Sequence, residues 1–258
     1  MQIEFYKYQG TGNDFVMIDN RNNVFDKTNL KYVQQLCDRR FGIGADGLIL
    51  IENLDDLDFN MIYFNADGTQ SFCGNGSRCA VAFAKHLGII EKQAMFLSTD
   101  GEHEAWINNE GEVSLKMHDV TSIEKGEGYY YINTGSPHYI LNVDDVKAVD
   151  VKVEGAAVRY NERFKAEGTN VNFVKFNDIE LDIRTYERGV EDETLSCGTG
   201  VTAAALSLAD TKGLQEGVIS INAVGGNLKV GFKRNGNEFK DIWLIGPATS
   251  VFKGTVEL

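Results

Sequence analysis

The residues of this chain best suited to chemistry are two cysteines in matching surroundings. Cys73-Gly74-Asn75-Gly76 and Cys197-Gly198-Thr199-Gly200 both read C-G-x-G, and each is expected to follow a strand and a loop and to open a helix. Ala80 and Ala204 recur at the same offset, and the motifs are about half of the 258 residues apart. That pattern predicts a duplicated unit, two domains facing each other across a cleft. The first turn of a helix leaves N–H groups without intrahelical partners, and the aligned peptide dipoles place roughly half a positive charge there. A thiol at that point has its thiolate stabilised. The following glycines let a carboxylate approach the bare amides.

Two such ends flanking one carbon would remove a proton from one face with a thiolate and return one to the other face with a thiol. The result is stereoinversion by two bases, with the amides stabilising charge that moves onto the carboxylate. Other readings of the pair are a redox switch closing a disulfide, a Cys-His hydrolase built on Cys197 and His138 that leaves Cys73 idle, and a non-catalytic binding module. Cys37 and Cys79 fall on apolar helix faces and read as core thiols.

The elements that must position these cysteines are legible in outline. Residues 3–8 and 15–18 read as strands, and 29–40 as a helix with Leu30, Val33 and Leu36 on one face. Turns at 42–47 and 65–68 flank strands 48–51 and 59–64. Residues 73–88 read as a glycine-opened helix stopped by Gly88. Residues 94–117 read as strands with turns at 100–101 and 108–111. In the second half, strands are expected at 129–132, 139–143, 171–176 and 181–186. A loop over 187–193 then leads to an Ala-rich helix over 197–210, and β-like sequence follows with turns at 225–226 and 235–236.

Composition narrows the function classes. Hydrophobic residues are 43% and charged residues 24%, the balance of a globular chain. No apolar run approaches the roughly 20 residues needed to span a bilayer, and the N-terminus does not read as a signal peptide, so the expected location is the cytoplasm with no membrane partner. The formal charge of -13 argues against nucleic acid. There is no C-x-x-C pair, so no metal site is expected.

At these residues the chain resembles the diaminopimelate epimerase family. The matching stretches are Thr11–Phe15, Arg40–Asp46, Asn65–Gly68, Phe72–Cys79, Gly135–His138, Thr169–Phe173, Tyr186–Val190 and Thr194–Gly200, in family order over nearly the whole chain. The resemblance implies an α/β (α+β) fold of two pseudo-symmetric domains, each a curled, mostly antiparallel or mixed sheet around a central helix, with the site in the interdomain cleft. The expected domains are 1–118, joined by a C-terminal strand over 247–258, and 119–246.

It further implies a cofactor-independent isomerase that interconverts LL- and meso-diaminopimelate as a homodimer, in lysine and peptidoglycan precursor synthesis. Cys73 and Cys197 become the acid–base pair, and His138 and Glu187 the residues that tune the thiols. Gly74, Asn75, Gly198 and Thr199 would meet the reacting carboxylate. Asn13, Asn65, Asn170, Glu187 and Arg188 would contact the substrate, several of them at its distal head. Such a head needs a cation for its carboxylate and acceptors for its ammonium, which Arg188 and the asparagines can supply. A related proline or hydroxyproline racemase is the alternative.

Three departures from the family pattern stand out. Ser136 replaces a common Asn, the segment between Arg188 and Cys197 is one residue longer, and Gly47 stands where some members carry Gln.

Overall fold

Alternating burial along the first strands shows how this sequence builds its sheets. In the computed structural model, which describes residues 2–258, strand β1 (Gln2–Gly10) turns tightly through Thr11 and Gly12 into β2 (Asn13–Asp19). Both turn residues have positive φ, 51° and 86°, as the commonest two-residue hairpin requires. Helix α1 (Leu30–Cys37) carries the chain to β3 (Gly47–Glu52), parallel to β2, and β4 (Phe59–Asn65) returns antiparallel. Helix α2 (Gly74–His86) leads to β5 (Gln93–Ser98), parallel to β4, followed by the antiparallel strands β6 (Gly101–Ile107) and β7 (Glu112–Lys116). The last strand of the chain, β17 (Thr249–Glu257), lies antiparallel to β1.

β3 is buried along its whole length because helices cover both faces of the sheet. Val16, Ile18, Leu48, Leu50 and Phe64 pack with Val33, Leu36 and Cys37 of α1. The alternate residues face α2: a side chain at Gly76 would come within 3.1 Å of Ile49 and 3.4 Å of Met61. α2 itself is buried along nearly its whole first three turns and packs against β1, β2, β3, β4 and β6. It is therefore the core around which the sheet curls.

The second half repeats this order. Strands β8 (Glu124–Gly126), β9 (Tyr129–Asn133) and β10 (Pro137–Asn142) form an antiparallel run. Helix α3 (Val151–Arg159) leads to β11 (Asn170–Asn177), parallel to β10, and β12 (Glu180–Glu187) is antiparallel to β11. A short strand, β13 (Asp192–Thr194), folds back on the end of β12. Helix α4 (Gly198–Lys212) then carries the chain to β14 (Glu216–Ala223), parallel to β12, and β15 (Gly226–Asn235) and β16 (Glu238–Pro247) complete the unit. Hairpin, parallel crossover, hairpin, parallel crossover around a buried helix is the plan of both halves. α4 is buried on all sides from Gly200 to Ala209, as a helix enclosed by strands must be.

Two compact units result, one from residues up to Leu115 with Gly246–Leu258, the other Lys116–Ile245. No helix among the described residues is long and apolar enough to cross a membrane.

The structure corrects the sequence reading at three places. Helix α1 stops at Cys37 rather than extending to Arg40, because Asp38 turns out of the helix and its carboxylate accepts the amides of Arg40 and Phe41. Helix α3 was not anticipated; only Val151 and Gly155 on it are buried, so it lacks a strong apolar stripe. The expected loop over 187–193 is mostly a hairpin. Glu187 ends β12, and Arg184 clamps Glu193 across the turn through two hydrogen bonds of 2.7 Å.

Candidate active site

Both cysteines stand where the chain turns from extended backbone into a buried helix. Cys73 is the N-cap of α2 (φ −138°, ψ 107°) and Cys197 the N-cap of α4 (φ −115°, ψ 112°). In each case the cysteine carbonyl accepts the first helical hydrogen bond at 2.8 Å, from Ser77 and Val201. The thiols are half-buried.

At the first elbow the Cys73 sulfur takes the place of a capping oxygen and accepts the Gly76 amide at 3.4 Å. Its Sγ also lies 3.5 Å from Asn13 Oδ1. Asn13 is held in turn by Asp46, which accepts its Nδ2 at 2.5 Å. Asp46 belongs to a closed ionic cluster: Arg39 bridges Asp14 and Asp46 at 2.6 and 2.7 Å, and the buried Lys7 pairs with Asp14 at 2.6 Å. Burial pushes the Asp14 carboxyl up, but hydrogen bonds and charge from Arg39 and Lys7 outweigh it and hold it at about 2. Asn75 is buried, and its Oδ1 accepts a hydrogen bond from Arg78 at 2.9 Å. Arg78 is fully buried, and burial pushes its guanidinium down to about 10, so it stays charged at neutral pH.

The second elbow rests on a neutral relay. His138 is fully buried and sits between Asn172 and Thr199. Asn172 Nδ2 lies 3.1 Å from Nδ1 and Thr199 Oγ1 lies 2.9 Å from Nε2. An amide N–H can only donate, so Nδ1 is the acceptor and Nε2 carries the proton it gives to Thr199. The Thr199 hydroxyl lies 3.5 Å from Cys197 Sγ and is left to donate to it. Burial drives the imidazole down to about 3, with the Arg188 charge adding to that and the Asn172 contact opposing it. His138 is therefore uncharged at neutral pH. Asn172 is fixed by Thr185, whose hydroxyl donates to Oδ1 at 3.0 Å. Gly200 makes this packing possible: a Cβ there would lie 2.6 Å from Asn172 Oδ1 and 3.1 Å from the His138 ring.

The remaining predicted residues are each held by partners within their own units. Asn65 ends β4 and donates to Thr69 and Ser71 at 3.0 and 3.2 Å. Asn170 is buried and engaged at both ends of its amide, donating to the Pro137 carbonyl at 3.0 Å and accepting the Arg188 amide at 2.9 Å. Its place is thus to join the His138 strand to the Arg188 turn. Glu187 accepts the Thr194 hydroxyl at 2.8 Å, three residues before Cys197. The exposed Arg188 side chain lies over Gly168 and donates to the Glu167 carbonyl at 2.9 Å. The Ser136 carbonyl accepts the Thr134 amide. Gly74 and Gly198 begin their helices and are buried.

Sequence reasoning missed Asp46, Arg78 and Asn172 as parts of these elbows. Asn172 left a signal, since Asn170 and Asn172 are polar residues two apart in an otherwise apolar strand and so share a face. Arg78 left another, a cation near the start of a helix whose first turn holds no acid. Cys37 and Cys79 are buried core thiols, and burial pushes each up to about 12. No group of three or more metal-ligating side chains occurs among the described residues.

The sequence model of the family described as Diaminopimelate epimerase matches residues 5–123 and 130–251. A protein of Flavobacterium psychrophilum named Diaminopimelate epimerase is 51% identical over 98% of this chain and 100% of its own length. One of the same name from Aquifex aeolicus is 40% identical over 98% and 97%. Among solved structures, a PhzF-family phenazine biosynthesis protein of Bacillus anthracis superposes with a TM-score of 0.78 at 12% identity, covering 100% of both chains. A hydroxyproline epimerase of Agrobacterium vitis does so at 0.69 and 14%, covering 100% of this chain and 93% of its own. At such identities these two likenesses speak for the fold alone.

Proposed function

This chain belongs to the diaminopimelate epimerase family, and from that premise we propose that it interconverts LL- and meso-diaminopimelate by proton transfer between two cysteines, one from each unit. The observation that carries the reading is the equivalence of Cys73 and Cys197. Each caps the buried central helix of its unit, at the same step of the same strand order.

In the forward direction one sulfur, as thiolate, takes the hydrogen of the substrate α-carbon as a proton. The electron pair left behind spreads into the adjacent carboxylate. The other sulfur, as thiol, delivers its own proton to the opposite face of the same carbon. No electrons are gained or lost. The enzyme ends with the thiol and thiolate exchanged, ready for the reverse reaction. The first-turn amides of α2 and α4 would hold the carboxylate as its charge grows, which is where preorganised dipoles contribute most to rate.

Arg188, Glu187, Asn13, Asn65 and Asn170 are assigned to the substrate, with Arg188 providing a fork for the distal carboxylate. His138 acts through Thr199 on Cys197. In this reading the enzyme is a cytoplasmic homodimer serving lysine and peptidoglycan precursor synthesis.

The test is exchange in heavy water with LL- and with meso-diaminopimelate. Deuterium is expected at the reacting carbon alone, in step with inversion. Label at both stereocentres, or turnover of proline or hydroxyproline in preference, would overturn the assignment.

A further inference from the structure

The residue behind His138 decides what the imidazole can do. Asn172 lies on β11 directly opposite Thr185 of β12, and both are buried. The two ends of its amide are alike in shape and opposite in chemistry: one only donates, the other only accepts. Two neighbours settle which end faces which way. The Tyr139 carbonyl can only accept, and Asn172 Nδ2 donates to it at 3.3 Å. On the other side the Thr185 hydroxyl donates to Oδ1 at 3.0 Å. Turning the amide over would set Oδ1 against the Tyr139 carbonyl, two acceptors with no hydrogen between them, which is costly where water cannot enter.

With the amide fixed, Nδ2 also faces His138 Nδ1 at 3.1 Å. That nitrogen must accept, so the single ring proton of the neutral imidazole sits on Nε2. Nε2 gives it to Thr199 Oγ1 at 2.9 Å. Thr199 is anchored separately through its backbone, where its carbonyl accepts the Thr134 hydroxyl at 2.8 Å. The Thr199 hydroxyl finds no acceptor in the imidazole for its own hydrogen, which is left for Cys197 Sγ, 3.5 Å away. Had the ring carried its proton on Nδ1, Nε2 would take the Thr199 hydrogen and the chain of donors would run the other way.

We propose that Asn172 is a positioning residue that sets the direction of this chain by locking His138 in the Nε2–H tautomer, and that it acts on the reaction through Thr199. What the hydroxyl then serves rests on the two-cysteine reading above; the tautomer does not.

The test reads the tautomer directly, from long-range proton–nitrogen correlation spectra of the isotope-labelled full chain at neutral pH. The chain has four histidines, and the signals lost in His138→Gln identify this one. His138 is expected to show Nδ1 as an unprotonated ring nitrogen and Nε2 as a protonated one. Asn172→Asp places at Nδ1 a group that only accepts, as the aspartate of a Ser-His-Asp triad does. Nδ1 should then appear protonated. In that variant kcat should fall about tenfold, matching Thr199→Val. Adding Thr199→Val to Asn172→Asp should lower it by about twofold at most, because both changes remove the same interaction.

A protonated Nδ1 in the unaltered protein would overturn the proposal, and that measurement needs no variant to fold. So would an unprotonated Nδ1 in folded Asn172→Asp, or a double variant slowed about a hundredfold, as two independent losses would give. The spectra require neither substrate nor turnover. A wrong tautomer therefore leaves the epimerase reading standing, and failure of the heavy-water experiment leaves the tautomer interpretable.

Discussion

The two elbows share a backbone and differ in how they are supported. Around Cys73 the groups are charged: a lone buried guanidinium and a four-member ionic cluster that reaches the sulfur through Asn13. Cys197 is reached through neutral groups in series, an amide, an imidazole without charge and a hydroxyl. The shared part answers to what both sulfurs must do, which is to present themselves with bare amides at a helix start. On the proposed two-base reading, the unshared part keeps the sulfurs from holding the same protonation state at once: duplication supplies the scaffold, and divergence of side chains at matching positions supplies the inequality.

The largest effect should come from removing either sulfur. Cys73→Ser and Cys197→Ser are each expected to lower kcat by about a thousandfold or more, with circular dichroism unchanged. Activity near the unaltered level in either chain would break the equivalence of the elbows. Next in size is the response to acid. His138 is held neutral at about 3 in the fold but titrates near 6.5 when unfolded, so the unfolded chain binds more protons in between and stability falls as pH falls through that window. Between pH 6.5 and 4.5 the loss should be roughly 2 kcal/mol. Urea unfolding of His138→Gln should show most of that slope gone, and an equal slope in both chains would place the imidazole elsewhere. Asp14 acts in the same direction only below about 3.8, so it does not enter this window. The smallest effect should follow loss of the relay hydroxyl. Thr199→Val removes one hydrogen bond to the second sulfur and should reduce kcat by about tenfold, steepening toward low pH. No change would mean that the relay ends at Thr199.

Much of this was legible in the sequence. The C-G-x-G repeat marked both helix starts, because small residues must stand where a ligand nears the amides, and strands such as β11 followed from their clustered or alternating apolar residues. What escaped was the support. Arg78 shows in sequence only as a cation near an acid-free helix start, and its burial is a tertiary fact imposed by the strands around α2. α3 escaped because it buries little more than Gly155 against Tyr186, an approach so close that a methyl group there would overlap the ring at 2.5 Å. Close contact through a glycine leaves no apolar periodicity to detect. The β13 hairpin escaped because its clamp, Arg184 with Glu193, is two charged residues nine apart, a spacing with no local signature.

The strand Thr249–Glu257 has a consequence for how the molecule is made. It pairs with Gln2–Gly10 along nearly its full length, and so lends the first unit a strand that follows the whole second unit in sequence. A ribosome must therefore translate the entire second unit before the first can be finished, and the Cys73 half waits as an incomplete sheet while the Cys197 half has every residue it needs. Removing the final ten residues or so should leave a protein with one sound half, and it is the half translated last that survives.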